Sequence, residues 1–299
     1  MKKAVILILV LVLAFGLVAC GGQPKGTTAA ADTPAADAPA TDAPTEAAGT
    51  TAAAATTGAE GQADTAAAYL EQDGIKIAVQ AGTVGDFLAQ DLVGEDNVDQ
   101  YQRYVDAISA VKQGKVAGAI MDLGPAQKIV AANPDLKIFD DALTEENYAF
   151  GIKKGNTELT EAVNKALADL SASGQLQAIF DKYINDEEGA GNDIDLNAGA
   201  KGGKLIMGTE SGFAPYEMRK GDTVVGIDVE IMAAVAKAMD KELVIEDMQF
   251  NSLIPAVDSG KIDIIAAGLT VTDEREESID FSSDYVVGAK QVLVVKAGD

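Results

Sequence analysis

Residues 264–275 read Ile264-Ile265-Ala266-Ala267-Gly268-Leu269-Thr270-Val271-Thr272-Asp273-Glu274-Arg275. An apolar run gives way to small residues, then to a threonine and, after a sharp turn, to an arginine. Short apolar runs bounded by turn signals have the pattern of buried strands. A strand end with free backbone groups, a hydroxyl and one guanidinium is suited to hold a small carboxylate, because the guanidinium fork engages both oxygens at once. Taken alone, an arginine after a turn is ordinarily a surface residue. Its weight here comes from the segment around it.

Outward from this segment the chain alternates strand and helix patterns. Residues 292–295 read as a last strand. Before the segment, 262–266 is a strand, 253–258 a helix, 243–247 a strand, 229–239 a helix, 208–216 a loop and 204–207 a strand. The earlier half repeats the scheme. Residues 75–79 alternate as a strand, 81–86 form a turn opening a helix, 104–112 are helical, and 118–121 are a strand ending at Asp122. Pro125 starts the next helix, where its missing N–H costs nothing. Residues 136–139 and 148–152 are further strands, and 158–184 is an amphipathic pattern broken at Gly174. Residues 186–203 are acidic and glycine-rich without periodicity, which marks a linker. Such alternation implies sheets covered by helices on both faces, with ligands bound at the strand ends.

The 299 residues allow one large or two moderate domains. Hydrophobic residues make up 47%, a figure inflated by alanine in one low-complexity region. A formal charge of -24 argues against nucleic acid, whose phosphates nothing here would neutralise, and against docking on anionic membrane surfaces. With no His and one Cys, a zinc site or a Cys–His or Ser–His apparatus is excluded. No cofactor, metal or catalytic residue is expected.

The cysteine is Cys20. Lys2 and Lys3 precede an apolar run from 4 to 18 that closes as Leu17-Val18-Ala19-Cys20. The run is too short and wrongly flanked for a stable span and reads as a signal-peptide core over residues 1–20. Its end resembles a bacterial lipobox, in which the thiol is diacylated and Cys20 becomes the new N-terminus. An ordinary signal peptide with an incidental cysteine is the alternative. Paired acyl chains anchor a protein that a single chain holds only weakly. Residues 21–67, rich in Ala, Thr, Asp, Pro, Gly and Glu, are too poor in apolar surface to offset their ordering entropy and are expected to form a disordered tether. No later segment is long and apolar enough to cross a membrane.

Further motifs accompany the opening segment: Gly208-Thr209-Glu210-Ser211-Gly212-Phe213-Ala214-Pro215-Tyr216-Glu217, Gly226-Ile227-Asp228-Val229-Glu230, Phe250-Asn251-Ser252-Leu253-Ile254-Pro255-Ala256, Ser259-Gly260-Lys261-Ile262-Asp263 and Ile279-Asp280-Phe281-Ser282. With them, residues 204–299 resemble the first lobe of the bacterial polar amino-acid binding proteins of ABC transporters, solute-binding family 3. Residues 74–184 resemble the rest of that family. Here 76–83 look like the start of the second lobe, and 148–184, with Asn164-Lys165-Ala166-Leu167 and Gly174, look like the terminal region that packs back on the first.

The resemblance implies an α/β, two-lobed periplasmic binding protein type II fold (a Venus-flytrap), circularly permuted. Residues 68–146 would be the second lobe, 147–184 the return segment, 185–203 a linker joining the old termini, and 204–299 the first lobe. Termini that lie close together make such a rearrangement physically tolerable. It also implies one covalent crossing between the lobes, near 140–147, and a soft hinge. A broken tandem, the tail of one copy fused to the head of another, is the alternative, and a permuted or broken copy would act as a non-transport surface or ligand-sensing protein.

A free amino acid offers a carboxylate, an ammonium and a side chain. By resemblance Arg275 takes the carboxylate, with Gly268 and Thr270 lining the same subsite. The N–H groups of Gly82, Thr83 and Val84, where a helix begins, would close on it from the other lobe. The carbonyl of Ala267 or Gly268 and the Thr270 hydroxyl would accept from the ammonium, and Asp122 would supply its countercharge. Asp122 has a second reading as the cap of the helix that follows. Phe213 and Phe250 would flank the ligand, or serve as core aromatics. Glu210, with Gln80 from the other lobe, suits an Arg, Lys, His or Gln side chain, unless it points to solvent. The implied setting is extracytoplasmic. The implied partners are an ABC importer's membrane subunits, the membrane through the lipid anchor, and no nucleic acid. A monomer is expected, with a domain-swapped dimer conceivable. An enzyme is disfavoured by the absence of His, and a signalling receptor would need a spanning helix and an output domain.

Overall fold

The computed structural model describes residues 64–298. The expected signal peptide, Cys20 and most of the expected tether lie outside the described residues. The first described helix, α1 (Ala66–Leu70), starts inside the segment expected to be tether, and Thr65 caps it by accepting from the Ala68 N–H at 3.1 Å.

There follow β1 (Ile77–Gln80), α2 (Val84–Val93), β2 (Val98–Tyr101), α3 (Tyr104–Lys112), β3 (Gly118–Asp122), α4 (Leu123–Ala132), β4 (Leu136–Ile138) and β5 (Thr144–Tyr148). Next come β6 (Gly151–Lys153), α5 (Thr157–Ala172) and α6 (Gln175–Ile184). After residues 185–203 the chain forms β7 (Lys204–Thr209), β8 (Gly212–Phe213), β9 (Glu217–Lys220), β10 (Thr223–Val225), α7 (Ile227–Ala238) and β11 (Glu242–Asp247). It ends with α8 (Leu253–Asp258), β12 (Ile264–Ile265), α9 (Asp273–Ser278), β13 (Ile279–Phe281) and β14 (Val286–Lys296).

Local chemistry explains the helices. In α3, Tyr104, Ala107, Ile108 and Val111 recur at helical spacing and are all buried. Asn156 caps α5, its side chain accepting from the Leu159 N–H at 3.3 Å. Gly174, at φ +75°, takes the left-handed turn that separates α5 from α6. Thr83 caps α2 by accepting from the Asp86 N–H at 3.2 Å, while Asp86 accepts from the Gly82 N–H at 2.9 Å, a reciprocal arrangement close to a capping box.

The strands form two large sheets, one per lobe. The first has the order β2-β1-β3-β14-β4, with β5 paired to β14. The second has the order β11-β7-β12-β6-β13, and a small sheet β10-β9-β8 lies beside it. β1 runs parallel to β2 and β3, and β7 parallel to β11 and β12. β14 and β6 are the antiparallel members. The apolar core fills both faces of each sheet. Ile77, Val79, Ile120 and Leu293 pack on one side of the first sheet, and Leu253, Ile265, Leu269 and Ile279 on one side of the second. Each such buried side chain contributes about 1.5–3 kcal/mol.

Two expectations are corrected. Residues 148–152, read as one strand, are the end of β5 and the start of β6, which belong to different sheets. The last strand, expected to end the first lobe, is β14, and it enters the other sheet between β3 and β4. The chain therefore crosses between the lobes twice, from β5 to β6 and from β13 to β14, and β5 pairs with β14 from Tyr148↔Val286 to Thr144↔Gln291. A paired double crossing is stiffer than the single strap expected, because the two strands hydrogen-bond along their length. Residues 185–203 contain neither helix nor strand, yet they are pinned. Lys182 Nζ lies 3.0 Å from Asp193, Lys220 Nζ donates to the Ala190 carbonyl at 3.0 Å, and the Leu243 N–H donates to the Leu196 carbonyl at 2.7 Å.

Candidate functional site

The strand ends of both sheets face one cleft. From the first sheet's lobe come Gln80, Thr83, Val84, Tyr104 and Asp122, with Gln291 on β14. From the other come Glu210, Phe213, Glu217, Phe250, Ala267, Gly268, Thr270 and Arg275. Of the residues named from sequence, Gly82 alone is not on the wall, and its carbonyl accepts from Arg275 Nη2 at 3.1 Å. The space open to the centre of a water molecule is about 10 Å³, room for roughly one water. An amino acid enters only if the lobes part.

Arg275 lies at the cationic pole. Thr272 caps α9 by accepting from the Arg275 N–H at 3.2 Å, so the helix begins at Asp273, shortly after Thr270. The guanidinium folds back, Nη1 donating to the Thr270 carbonyl at 2.7 Å, and stacks 5.5 Å from the centre of the Phe250 ring. Arg275 is 7% exposed. No carboxylate lies within 4.0 Å of it among the described residues, although Glu146 and Asp122 act on it from further away. Burial lowers its pKa, and those two carboxylates oppose the shift. A desolvated cation without an ion-pair partner favours an anion that arrives in the cleft.

The loop opposite is less open to an anion than the sequence suggested. The Gly82 N–H is taken by Asp86, and the Thr83 N–H reaches the Gln80 carbonyl at 3.4 Å. The reason is local: Asp86, itself 2% exposed, satisfies the start of α2 internally.

The anionic pole is richer than expected. Asp122 accepts from the Tyr104 hydroxyl at 3.0 Å and from the Tyr148 hydroxyl. It makes no capping bond to α4, so the capping reading fails. Burial raises its pKa, and the bonds from Tyr148, Tyr104 and Gln291 pull it back. Glu146 on β5 accepts from the Thr270 hydroxyl and from Gln291 Nε2 at 2.7 Å. Burial first, then Asp122, push its pKa up to about 7. Sequence reading missed Glu146, Tyr104 and Gln291. Glu146 and Tyr104 come from segments far along the chain from Thr270, and only the pairing of β5 with β14 brings Glu146 and Gln291 together.

Gly268 fixes the wall between the poles. At φ +53° it occupies the left-handed region, and a Cβ there would meet the Phe213 ring at 2.3 Å. Its N–H donates to Asp228 at 3.0 Å, and the Tyr285 hydroxyl donates to the same carboxylate at 2.9 Å. Asp228 and Glu217 are both fully buried. Burial raises both, Asp228 to about 7 and Glu217 well above its ordinary value, with the neighbouring Asp228 adding to the rise at Glu217. Phe213 stacks on Tyr104 at 6.0 Å across the cleft.

At the far end, Glu210 is 1% exposed and faces the cleft rather than solvent. Its Oε2 accepts from Gln80 Nε2 at 3.2 Å, a bond between the lobes. Burial raises its pKa, and Gln80 and Arg103 oppose the rise.

A cleft between two α/β lobes, with a cationic pole, an anionic pole and aromatic walls, is suited to a small ligand that carries both charges. The chain belongs to the bacterial extracellular solute-binding proteins, family 3, whose model matches residues 47–186 and 205–299. It is similar to the arginine-binding extracellular protein ArtP of Bacillus subtilis (strain 168), with 43% identity over 102 residues, 33% of this chain and 40% of that protein. It is also similar to the glutamine-binding protein of Geobacillus stearothermophilus, with 29% identity over 136 residues, 44% of this chain and 52% of that one. Among solved structures, the arginine-bound form of domain 1 from TmArgBP is 31% identical, covering 33% of this chain and 82% of that one at a TM-score of 0.27. The chain thus spans about half or less of the two relatives. No helix among the described residues is long and apolar enough to cross a membrane.

Proposed function

We propose that this protein is a lipid-anchored extracytoplasmic receptor that binds a free polar amino acid between its lobes and delivers it to the membrane subunits of an ABC importer. The observation that carries the reading is Arg275, a buried guanidinium with no ion-pair partner among the described residues, placed in the cleft opposite Asp122 and Glu146. The ligand carboxylate pairs with Arg275, and its ammonium is held by Asp122, with Glu146 beside it. Glu210 and Gln80 meet the side chain, which is of the Arg, Lys, His or Gln class. The relatives' names, an arginine-binding and a glutamine-binding protein among them, support that class. Closure over the ligand excludes water and strengthens each charged contact.

The reading includes a circularly permuted order of parts and acylation at Cys20. Support for a working permutation over a broken tandem comes from complementarity. β6, from the earlier half, sits inside the later half's sheet between β12 and β13, and β14 sits inside the earlier half's sheet. Each half supplies the strand the other lacks.

The test is thermal unfolding with each of the twenty amino acids added separately. A ligand at a hundredfold excess over its dissociation constant stabilises by about 2.7 kcal/mol. One ligand class raising the midpoint is the expected result. A cooperative transition that none of the twenty moves would sink the receptor reading.

A further inference from the structure

The three residues between β2 and the body of α3 each contact a side chain of the cleft wall. The Gln102 carbonyl accepts from Gln80 Nε2 at 3.0 Å, Arg103 reaches across to the other lobe, and Tyr104 bonds Asp122. Arg103 stands at the N-terminus of α3 and makes no capping bond. Its Nε lies 3.6 Å from Glu210 Oε1, and its Nη2 lies 3.9 Å from Asp247 Oδ1. Those are ion-pair separations, too long for hydrogen bonds. Asp247 is already engaged, by the Ser211 hydroxyl at 2.7 Å and by Arg219 at 2.6 Å. Glu210 is not. Its Oε1 is buried and has no hydrogen-bond partner, so Arg103 is the cation that faces it. The Arg103 side chain is 40% exposed, a long arm laid from the cleft mouth onto a carboxylate that is otherwise covered.

We propose that Arg103 is a specificity-determining residue that neutralises Glu210 and turns the side-chain end of the cleft from a cation subsite into one for a neutral amide, glutamine above arginine or lysine. This rests on the amino-acid-receptor reading and narrows it. A cationic side chain reaching Glu210 meets a guanidinium already there and is repelled by it. A carboxamide meets a matched pair of groups, its N–H₂ donating to the free Oε1 of Glu210 and its carbonyl accepting from Arg103. The loose 3.6 Å pairing leaves room for that exchange. Rejection by a placed like charge is a general route to specificity, and it leaves every bond to the favoured ligand intact.

Isothermal titration of the full chain with glutamine, arginine and lysine, repeated for Arg103→Ala and Arg103→Lys, tests the proposal. The parent protein should bind glutamine at least about tenfold more tightly than arginine, and Arg103→Ala should move the arginine-to-glutamine affinity ratio at least about tenfold toward arginine. Arg103→Lys, which keeps the charge, should hold the parent ratio within about threefold. A purely structural role would weaken all ligands together and leave the ratio still. The proposal is overturned if Arg103→Ala leaves the ratio within about threefold of the parent, or if the parent prefers arginine. A parent that binds some other amino acid but none of these three overturns it while sparing the receptor reading. Binding of none of the twenty overturns both.

Discussion

Replacing Arg275 by alanine separates ligand recognition from folding more sharply than any other change in the cleft. The guanidinium is 7% exposed and donates to the Thr270 and Gly82 carbonyls at 2.7 and 3.1 Å. In the ligand-bound form its remaining N–H groups would make two charge-assisted bonds to a carboxylate, worth about 1.5–3 kcal/mol each. Their loss costs about 3–6 kcal/mol, and at about 1.4 kcal/mol per decade affinity falls roughly 10²- to 10⁴-fold. Folding stability should change far less. Two bonds to backbone carbonyls disappear, but so does the cost of holding a desolvated cation, and the balance is within about 2 kcal/mol. Arg275→Lys keeps a charge without the fork and should recover only part of the affinity. The assay is calorimetric titration with whichever amino acid most raises the thermal midpoint, alongside urea unfolding without ligand. If Arg275→Ala binds within about threefold of the parent while its urea midpoint drops, the arginine is a structural brace and the assignment of the carboxylate pole is wrong.

Other changes should read out the remaining parts of the site. Asp122→Asn removes the proposed ammonium countercharge and should weaken binding by about 1.5–3 kcal/mol, with stability unchanged or raised because a buried carboxylate is gone. Titration and melting measured on one sample would expose the reverse pattern. Glu146 and Asp228 have folded pKa values raised to about 7 from 4.5 and 3.8, so the folded state binds more protons than the unfolded state between those values. Their contribution to stability therefore falls as pH rises through that window and levels off above it. Glu146→Gln should flatten this slope, and a melting profile from pH 4 to 8 identical to the parent's would refute the assignment. Ligand affinity should run the other way, rising with pH as Glu146 ionises beside the ammonium, and Glu146→Gln should flatten that profile too. Gly268→Ala places a Cβ 2.3 Å from the Phe213 ring at a left-handed φ, which should cost about 1–3 kcal/mol and disturb the wall between the poles. Urea denaturation at the parent's midpoint would show this directly.

Much of this protein was legible in its residues. Helix α3 was placed at its observed ends and the break between α5 and α6 at Gly174, because helical periodicity and a left-handed glycine are local properties. The Arg275 segment was readable for a related reason. Thr272 caps the helix that carries Arg275, and both lie within one short stretch. Glu146, Gln291, Tyr104 and Arg103 were not found. Nothing in their own neighbourhoods marks them, and each acquires a role only from a partner supplied by a distant segment.

The sequence by itself therefore determined the alternation of elements, the family and most of the side chains in the cleft, since caps, turns and apolar periods act over a few residues. The tertiary structure decided which sheet each strand joins, that the lobes are linked by a paired double crossing, and that Glu210 faces Arg103 across the cleft. Strand pairing and interlobe charge contacts depend on what the rest of the chain brings alongside, and that information is spread over the whole fold.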